Sequence, residues 1–340
     1  MSCPGCYRLL RGNAPRFCPA CSQQLFDGQT VSPVLPFTAR DLPSVLREDL
    51  LRVIKRMSVS GFQFKASMRL ENATLTLSAE RGGHEYLLKP PPRSFQINLT
   101  PALPANEHFT MQLARQVFKL RVAACALLRF ADGEPAAYLT RRFDVLPGGE
   151  RLLQEDFAQL TGRSQATHGD DFKMTGSHEE IALLIRQHVR AAQPAVDEFF
   201  RLTIFNYLVS NGDAHLKNFS LYRQPDGEYT LTPAYDLLNT SLHVNDGNGL
   251  ALDLFADDHE TPSFAANAFL AYDDFLELGR RIGLPLSRVR RVLADVAGHE
   301  AATAELLRRS FLPADLQARY AASLASRRER LRYSAAGNRK

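Results

Sequence analysis

The stretch Asn211-Gly-Asp213-Ala-His215-Leu-Lys217-Asn218 holds a carboxylate and a carboxamide five positions apart. That offset suits phosphoryl transfer. One carboxylate must accept the proton of an attacking hydroxyl, and a nearby amide oxygen must hold Mg²⁺ against the phosphates; a short loop presents both. Eighteen residues past Asn218 stands Asp236, in Thr232-Pro-Ala-Tyr-Asp-Leu-Leu. Phe219-Ser-Leu-Tyr222 and Tyr229-Thr-Leu231 read as a hairpin turned at Asp226-Gly227, which returns Asp236 to the side of Asn218 as a second metal ligand. Upstream, Lys89 closes a short strand and Glu107 opens the next helix, a pairing that orients the α- and β-phosphates of ATP. Each feature alone is common. Together, in this order and on fitting elements, they point to ATP·Mg²⁺ chemistry carried by Asp213, Lys89, Asn218 and Asp236.

The loop before the first strand pair lacks the G-x-G-x-x-G pattern and reads Ser58-Val-Ser60-Gly61-Phe62-Gln63-Phe64-Lys65. Its backbone N–H groups and Lys65 could still cover phosphates. Ser58 and Ser60 would then lie near the γ-phosphate. A phosphate on either adds about −1.5 to −2 charge at pH 7, which would repel ATP and shut the enzyme off. The plainer alternative is that both serines only donate hydrogen bonds in a turn.

Four of the five cysteines fall in the first 21 residues, as Cys3-x2-Cys6 and Cys18-x2-Cys21. Two such knuckles can offer four thiolates to one Zn²⁺, and a four-cysteine site is closed to substrate and therefore structural. The residues between them allow a minimal hairpin turned at Gly12-Asn13. Disulfides are the alternative; with no apolar run after MSCPGCYRLL there is no sign of secretion, and a reducing cytoplasmic setting disfavours them. Cys125 lies in an apolar run and reads as buried filler.

The elements that must position these groups follow from periodicity. After a Pro-marked linker at 31–36, residues 38–56 carry apolar side chains at helical spacing, with Thr38 as cap. Residues 66–89 switch to a two-residue period over three strands, read as an antiparallel meander that Pro90-Pro91-Pro92 ends. Asn106 would cap a helix over 107–118, a further strand lies near 136–142, and residues 198–209 are apolar nearly all round, as in a central core helix. Residues 264–333 read as amphipathic helices. The outline is α+β and two-lobed, kinase-like: a small β-rich lobe, then a larger helical one. It divides into a zinc knuckle (1–30), an N-lobe (31–145), a helical C-lobe (146–335) and a basic tail (336–340).

Composition fits this. With 340 residues, 45% hydrophobic and 23% charged, the chain is of ordinary globular type, and no apolar run is long enough to span a bilayer. The formal charge of +4 belongs to the end of the chain, where Arg327, Arg328, Arg330, Arg332, Arg339 and Lys340 face one acid, Glu329. The body is near neutral, and the basic end reads as a solvated segment rather than a nucleic-acid contact.

The blocks Ser60-Gly-x-Gln-x-Lys65, Leu88-Lys89-Pro90, Asn106-Glu107-His108, Arg142-Phe-Asp144, Gln154-Glu-Asp156, Asp213-x-His-x-Lys-Asn218 and Pro233-x-Tyr-Asp236 together resemble the HipA family of toxin kinases, and most closely its compact HipT-type branch. The resemblance implies a serine/threonine protein kinase of a toxin–antitoxin system. Asp213 would be the base, Asn218 and Asp236 the Mg²⁺ ligands, and Ser60 to Lys65 the phosphate-covering loop. Arg141, Arg142 and Phe143 would form the hinge near adenine, with His215, Leu216, Lys217 and Tyr235 along the nucleotide and Glu107 behind Lys89. Ser58 and Ser60 would be autophosphorylated. The family's targets are aminoacyl-tRNA synthetases, phosphorylated so that translation stops; its partners are a DNA-binding antitoxin and, in the HipT-type branch, a small separate neutralising subunit. Arg141 departs from the pattern, standing where an acidic residue is frequent.

Two other readings use the same residues. A small-molecule phosphotransferase shares the D-x-x-x-x-N logic, although Lys217 and the Ser-Gly-x-Gln-x-Lys loop argue against it. An inactive scaffold displaying a zinc ribbon to a partner is disfavoured by intact Asp213, Asn218, Asp236 and Lys89.

Overall fold

The chain opens on its cysteines. Ser2 bridges to Leu9, folding the first knuckle back on itself, and Cys18 leads directly into helix α1 (Pro19–Phe26), whose proline sits in the first turn where its missing N–H is not needed. The computed structural model describes residues 1–12, 15–42, 65–78, 84–91, 101–146, 148–244, 249–335 and 337. Of the helix expected over 38–56, the described part is a short 3-10 turn, Ala39–Asp41, in which Asp41 accepts the Thr38 N–H at 2.7 Å; the rest lies outside the described residues. So do Ser58, Ser60, Gly61, Phe62, Gln63 and Phe64.

The two-residue period over 66–89 yields strands β1 (Ala66–Glu71), β2 (Thr74–Leu77) and β3 (Tyr86–Lys89). They do not form the expected meander. With β4 (Cys125–Leu128) and β5 (Ala137–Arg141) they make an antiparallel sheet ordered β2-β1-β3-β5-β4, so β3 pairs with β1 and not with β2. Burial fits part of this order. Tyr86, Leu88 and Lys89 of the central β3 are buried, and β2 exposes Thr74 and Leu77 at one edge. β4 at the other edge is buried too, and its Leu127 N–H donates to the Pro4 carbonyl at 3.1 Å. All four residues of β4 are buried, so the apolar run around Cys125 is a strand without alternation.

Helix α2 (Leu103–Gln116) backs this sheet. It starts earlier than the expected 107–118 because Pro104 seats in its first turn; Asn106 is inside the helix and does not cap it. Instead its Nδ2 donates to the Asn239 carbonyl at 2.8 Å and its Oδ1 accepts the Asn239 N–H at 3.1 Å.

Beyond residue 145 helices dominate: α3 (His178–His188), α4 (Ala192–Leu208), α5 (Pro262–Asn267), α6 (Tyr272–Arg281), α7 (Leu286–Val296), α8 (Glu300–Arg308) and α9 (Ala314–Arg332). α4 is the central helix expected, extended toward its N-terminus because Ala195 and Val196 continue the buried surface of Phe199, Phe200, Ile204 and Phe205. A small sheet of β6 (Gln154–Asp156), β7 (Ser220–Arg223) and β8 (Tyr229–Leu231) lies between the halves, and β7–β8 is the expected hairpin.

The basic end of the chain is not a solvated segment throughout. Arg327 and Arg328 lie on the buried face of α9, in line with Tyr320, Leu324 and Leu331. Arg327 stacks over the Tyr207 ring at 4.7 Å and donates to Ser210 Oγ at 3.0 Å, while Arg328 donates to Thr303 Oγ1 at 3.0 Å. Their long stems pack as part of the helix stripe. No helix of the described residues is long and apolar enough to cross a membrane.

Two main cores result. One fills the helical half and reaches α2; the other lies under the five-stranded sheet and contains Cys3, Cys18, Cys21, Leu25 and Phe26 of the N-terminal module.

Candidate active site

A cleft of about 490 Å³ lies between the two halves, of a size that suits a nucleotide. Lys89 forms its inner wall. The end of β3 is central and buried, with Lys89 in register with Tyr138 of β5, so the ammonium has little water to turn to. It donates to Glu107 Oε1 at 2.6 Å and to an oxygen of Asp236. Burial disfavours its charge, but the Asp236 and Glu107 carboxylates outweigh burial and raise its pKa. For Glu107 burial wins and, with Asp236 nearby, pushes the carboxyl up to about 7 despite Lys89. Asp236 goes the other way: Lys89 and Lys65 overcome its burial and lower its pKa, with Lys65 at 3.6 Å.

The backbone holds Asp236 in place. Its φ is +55°, a left-handed conformation that is uncommon outside glycine and is kept only where neighbours enforce it. The Asn211 side chain reaches its carbonyl at 3.5 Å, and Asn106 fixes Asn239 three residues on. Position 213 is set likewise. Gly212 N–H donates to Thr240 Oγ1 at 2.8 Å, and Asn218 donates from Nδ2 to the Asp213 carbonyl at 2.8 Å, leaving its Oδ1 as the oxygen suited to a metal. Asn218 and Asp236 line the same cleft. Asp213 is buried and does not itself line the cleft; its carboxylate lies 3.8 Å from Nε2 of His215, which does. Burial, aided by Lys173, lowers the His215 pKa to about 3, so the ring is neutral and this is no ion pair.

At the outer rim Phe143 and Tyr235 lie 5.6 Å apart, ring to ring. The Tyr235 hydroxyl donates to the Lys217 carbonyl at 2.9 Å, and Lys217 itself donates to Asp156 at 2.7 Å. Arg142 is paired with Asp144. Arg141 lines the cleft, yet its guanidinium forks onto Asp27 of the N-terminal module at 2.8 and 2.7 Å. Leu216 does not line the cleft; it is fully buried in the helical core. Gln154, Asp156, Gln159 and Lys173 do line it and were not singled out from sequence as site residues. The block Gln154-Glu-Asp156 was the available signal for two of them. Lys173 sits in a one-turn 3-10 helix, Phe172–Met174, with no motif around it.

The second cluster is the cysteine group. One ligand atom from each of Cys3, Cys6, Cys18 and Cys21 lies within 4.8 Å of the others. Cys6 and Cys18 sulfurs are 3.6 Å apart, close to the roughly 3.8 Å that tetrahedral Zn–S bonds impose. Cys18 N–H donates to Cys3 Sγ at 3.2 Å, and a Cβ on Gly5 would stand 2.8 Å from Cys21 Sγ, so glycine is needed there. Hydrogen bonds from Cys21 and Cys6 hold the Cys3 thiol far below its usual range. The donor set and spacing fit a structural zinc ion.

A family model described as the HipA-like C-terminal domain matches residues 57–304. The chain belongs to that family. The match covers every cleft residue named above and leaves the four cysteines outside. A putative kinase of Haemophilus influenzae is 28% identical over 302 residues, 85% of this chain and 84% of the relative. The serine/threonine-protein kinase toxin HipA of Shewanella oneidensis is 29% identical over 201 residues, 55% of this chain and 45% of the relative. The chain thus spans most of the first relative and less than half the length of the second. Among solved structures, the complex of Shewanella oneidensis HipA, HipB and operator DNA contains a chain that superposes with a TM-score of 0.61 at 23% identity, over 87% of this chain and 73% of that one. That likeness establishes a shared HipA-type fold.

Proposed function

We propose that the protein is a serine/threonine protein kinase and a toxin of the HipA type, moving the γ-phosphoryl group of ATP to a serine of a protein target. The observation that carries this reading is Lys89, held by Glu107 of α2 and by Asp236 at the wall of a cleft that Asn218 also lines. In this reading Asp213 accepts the proton of the serine hydroxyl as the serine oxygen bonds to the γ-phosphorus. The bond to the β–γ bridging oxygen breaks, and ADP leaves. Lys89 and Lys65 steady the phosphates, and Phe143 and Tyr235 offer an aromatic wall to the base. Mg²⁺ on Asn218 and Asp236 would neutralise phosphate charge. Most of the acceleration is then positioning and electrostatics.

Ser58 and Ser60 are the candidates for autophosphorylation, and an aminoacyl-tRNA synthetase is the candidate target, both on the family resemblance. One relative was solved with HipB and operator DNA, which supports a DNA-binding antitoxin as partner; a small neutralising subunit is the second candidate. The test is transfer of label from γ-labelled ATP into proteins of a cell extract. Asp213→Asn is expected to lower transfer by roughly 10²–10⁴-fold. Equal labelling by the variant removes Asp213 from the role. Label in a metabolite instead of a protein replaces the protein-kinase reading with a small-molecule phosphotransferase.

A further inference from the structure

The four-cysteine module grips both elements that supply the Lys89–Glu107 pair. On the sheet side, the Tyr86 hydroxyl of β3 donates to the Leu25 carbonyl at 2.7 Å, and Arg141 at the end of β5 forks onto Asp27. On the helix side, Gln116 at the end of α2 donates to the Cys6 carbonyl at 3.1 Å. The central contact is Tyr7. It follows Cys6 directly, is fully buried, and belongs to the core of the helical half although its neighbouring cysteines belong to the other. Its hydroxyl is hydrogen-bonded to His108 Nδ1 at 2.8 Å, and its ring stands edge-on to His108 and Phe311 at 5.0 and 5.3 Å. The His108 ring also interacts with the Gly5 backbone of the same knuckle. His108 is the residue after Glu107.

The backbone marks Tyr7 as more than filler. The turn in which Cys6 and Tyr7 N–H both donate to the Cys3 carbonyl leaves Tyr7 at φ +63°. Glycine takes that conformation without strain, and a tyrosine does not. The knuckle thus keeps a strained residue whose side chain leaves the module and enters the kinase core.

We propose that the metal-loaded module is a brace for the phosphate anchor, with Tyr7 as a positioning residue that sets Glu107 against Lys89 through His108. Nucleotide binding then depends on the metal state of a site outside the cleft. The proposal rests on the kinase reading and goes beyond it, and the experiment separates the two. Full-length wild type, Tyr7→Phe and Lys89→Ala are titrated with a fluorescent ATP analogue and Mg²⁺, before and after a chelator removes zinc and again after zinc is returned. Zinc content and thermal unfolding are followed in parallel.

Tyr7→Phe keeps the ring and loses only the hydroxyl. It is expected to keep its zinc, to unfold at a somewhat lower midpoint because His108 Nδ1 loses a buried partner, and, at temperatures where it is fully folded, to bind nucleotide up to about tenfold more weakly. A purely structural role would lower the midpoint and leave the nucleotide affinity of the folded protein unchanged. Stripping zinc should weaken wild type reversibly and weaken Tyr7→Phe by a smaller factor, since both act through one contact. If Tyr7→Phe and stripped wild type bind as the intact protein does while Lys89→Ala does not, the brace is wrong and the kinase reading stands. If Lys89→Ala binds normally, the cleft assignment falls and the brace with it.

Discussion

Glu107 is the residue on which the anchor turns. Its carboxyl is pushed up to about 7 by burial and by Asp236, against Lys89. The ordinary value is 4.5, so between 4.5 and about 7 the folded protein holds a proton that the unfolded chain has lost. This one group therefore lowers stability as pH rises through that window. Its effect on the site has the opposite sense, because only the carboxylate can grip the ammonium of Lys89. Nucleotide affinity is expected to fall as pH drops through about 7, with the step absent in Glu107→Gln; a wild-type titration flat across that range rejects the assignment. At this scale the sequence was legible where chemistry fixes an offset. Asp213 and Asn218 lie five apart on one loop, and a hairpin carries Asp236 back to it. It was not legible where packing decides. Leu216 sits inside a motif yet points into the core, and nothing in the sequence around Arg141, which lines the cleft, signals that its guanidinium pairs with Asp27.

The elements are tied by side chains that carry no motif of their own. Asn106 acts as a piece of backbone: it both donates to and accepts from Asn239, joining α2 to the segment that follows Asp236. Asn106→Ala leaves a buried N–H and carbonyl without partners, and about 2–3 kcal/mol of stability should be lost, read as a lower urea midpoint with unchanged slope. An unchanged midpoint removes Asn106 from that role. Its position before Glu107 suggested a helix cap, which is the commoner use of asparagine near a helix start. Pro104 was the better signal. The strand errors have a similar origin. β4 is buried on both faces and loses the alternation that marks a strand, while β2 and β3 are consecutive in sequence but lie on opposite sides of β1, a pairing that short-range pattern does not contain.

For the molecule as a whole, buried histidines govern the response to acid. Burial lowers His108, His178 and His215 to about 3 and His243 to about 4, from an unfolded value of 6.5. Each is neutral when folded and takes up a proton on unfolding. Their contribution is complete above 6.5 and is lost as pH falls toward the folded values, and four such groups outweigh the opposing trend of Glu107. The unfolding midpoint is expected to drop steadily from pH 7 to about pH 5; a midpoint constant over that interval contradicts the buried neutral state. The two-lobed outline and the four-cysteine cluster were visible in the sequence, because a change of period and a cysteine spacing are local. How the module sits between the lobes was not, because Tyr7 and His108 meet across a hundred residues.

The stretch that the family model matches and the stretch able to stand alone are different lengths of chain. The family match begins at residue 57, while Cys18, Leu25, Phe26, Val31 and Leu35 cover Met68, Tyr86, Leu88 and Leu128 from before that point. A fragment trimmed to that match would bare that apolar surface to water and invite aggregation, although Lys89, Asp213, Asn218 and Asp236 would all still be in it.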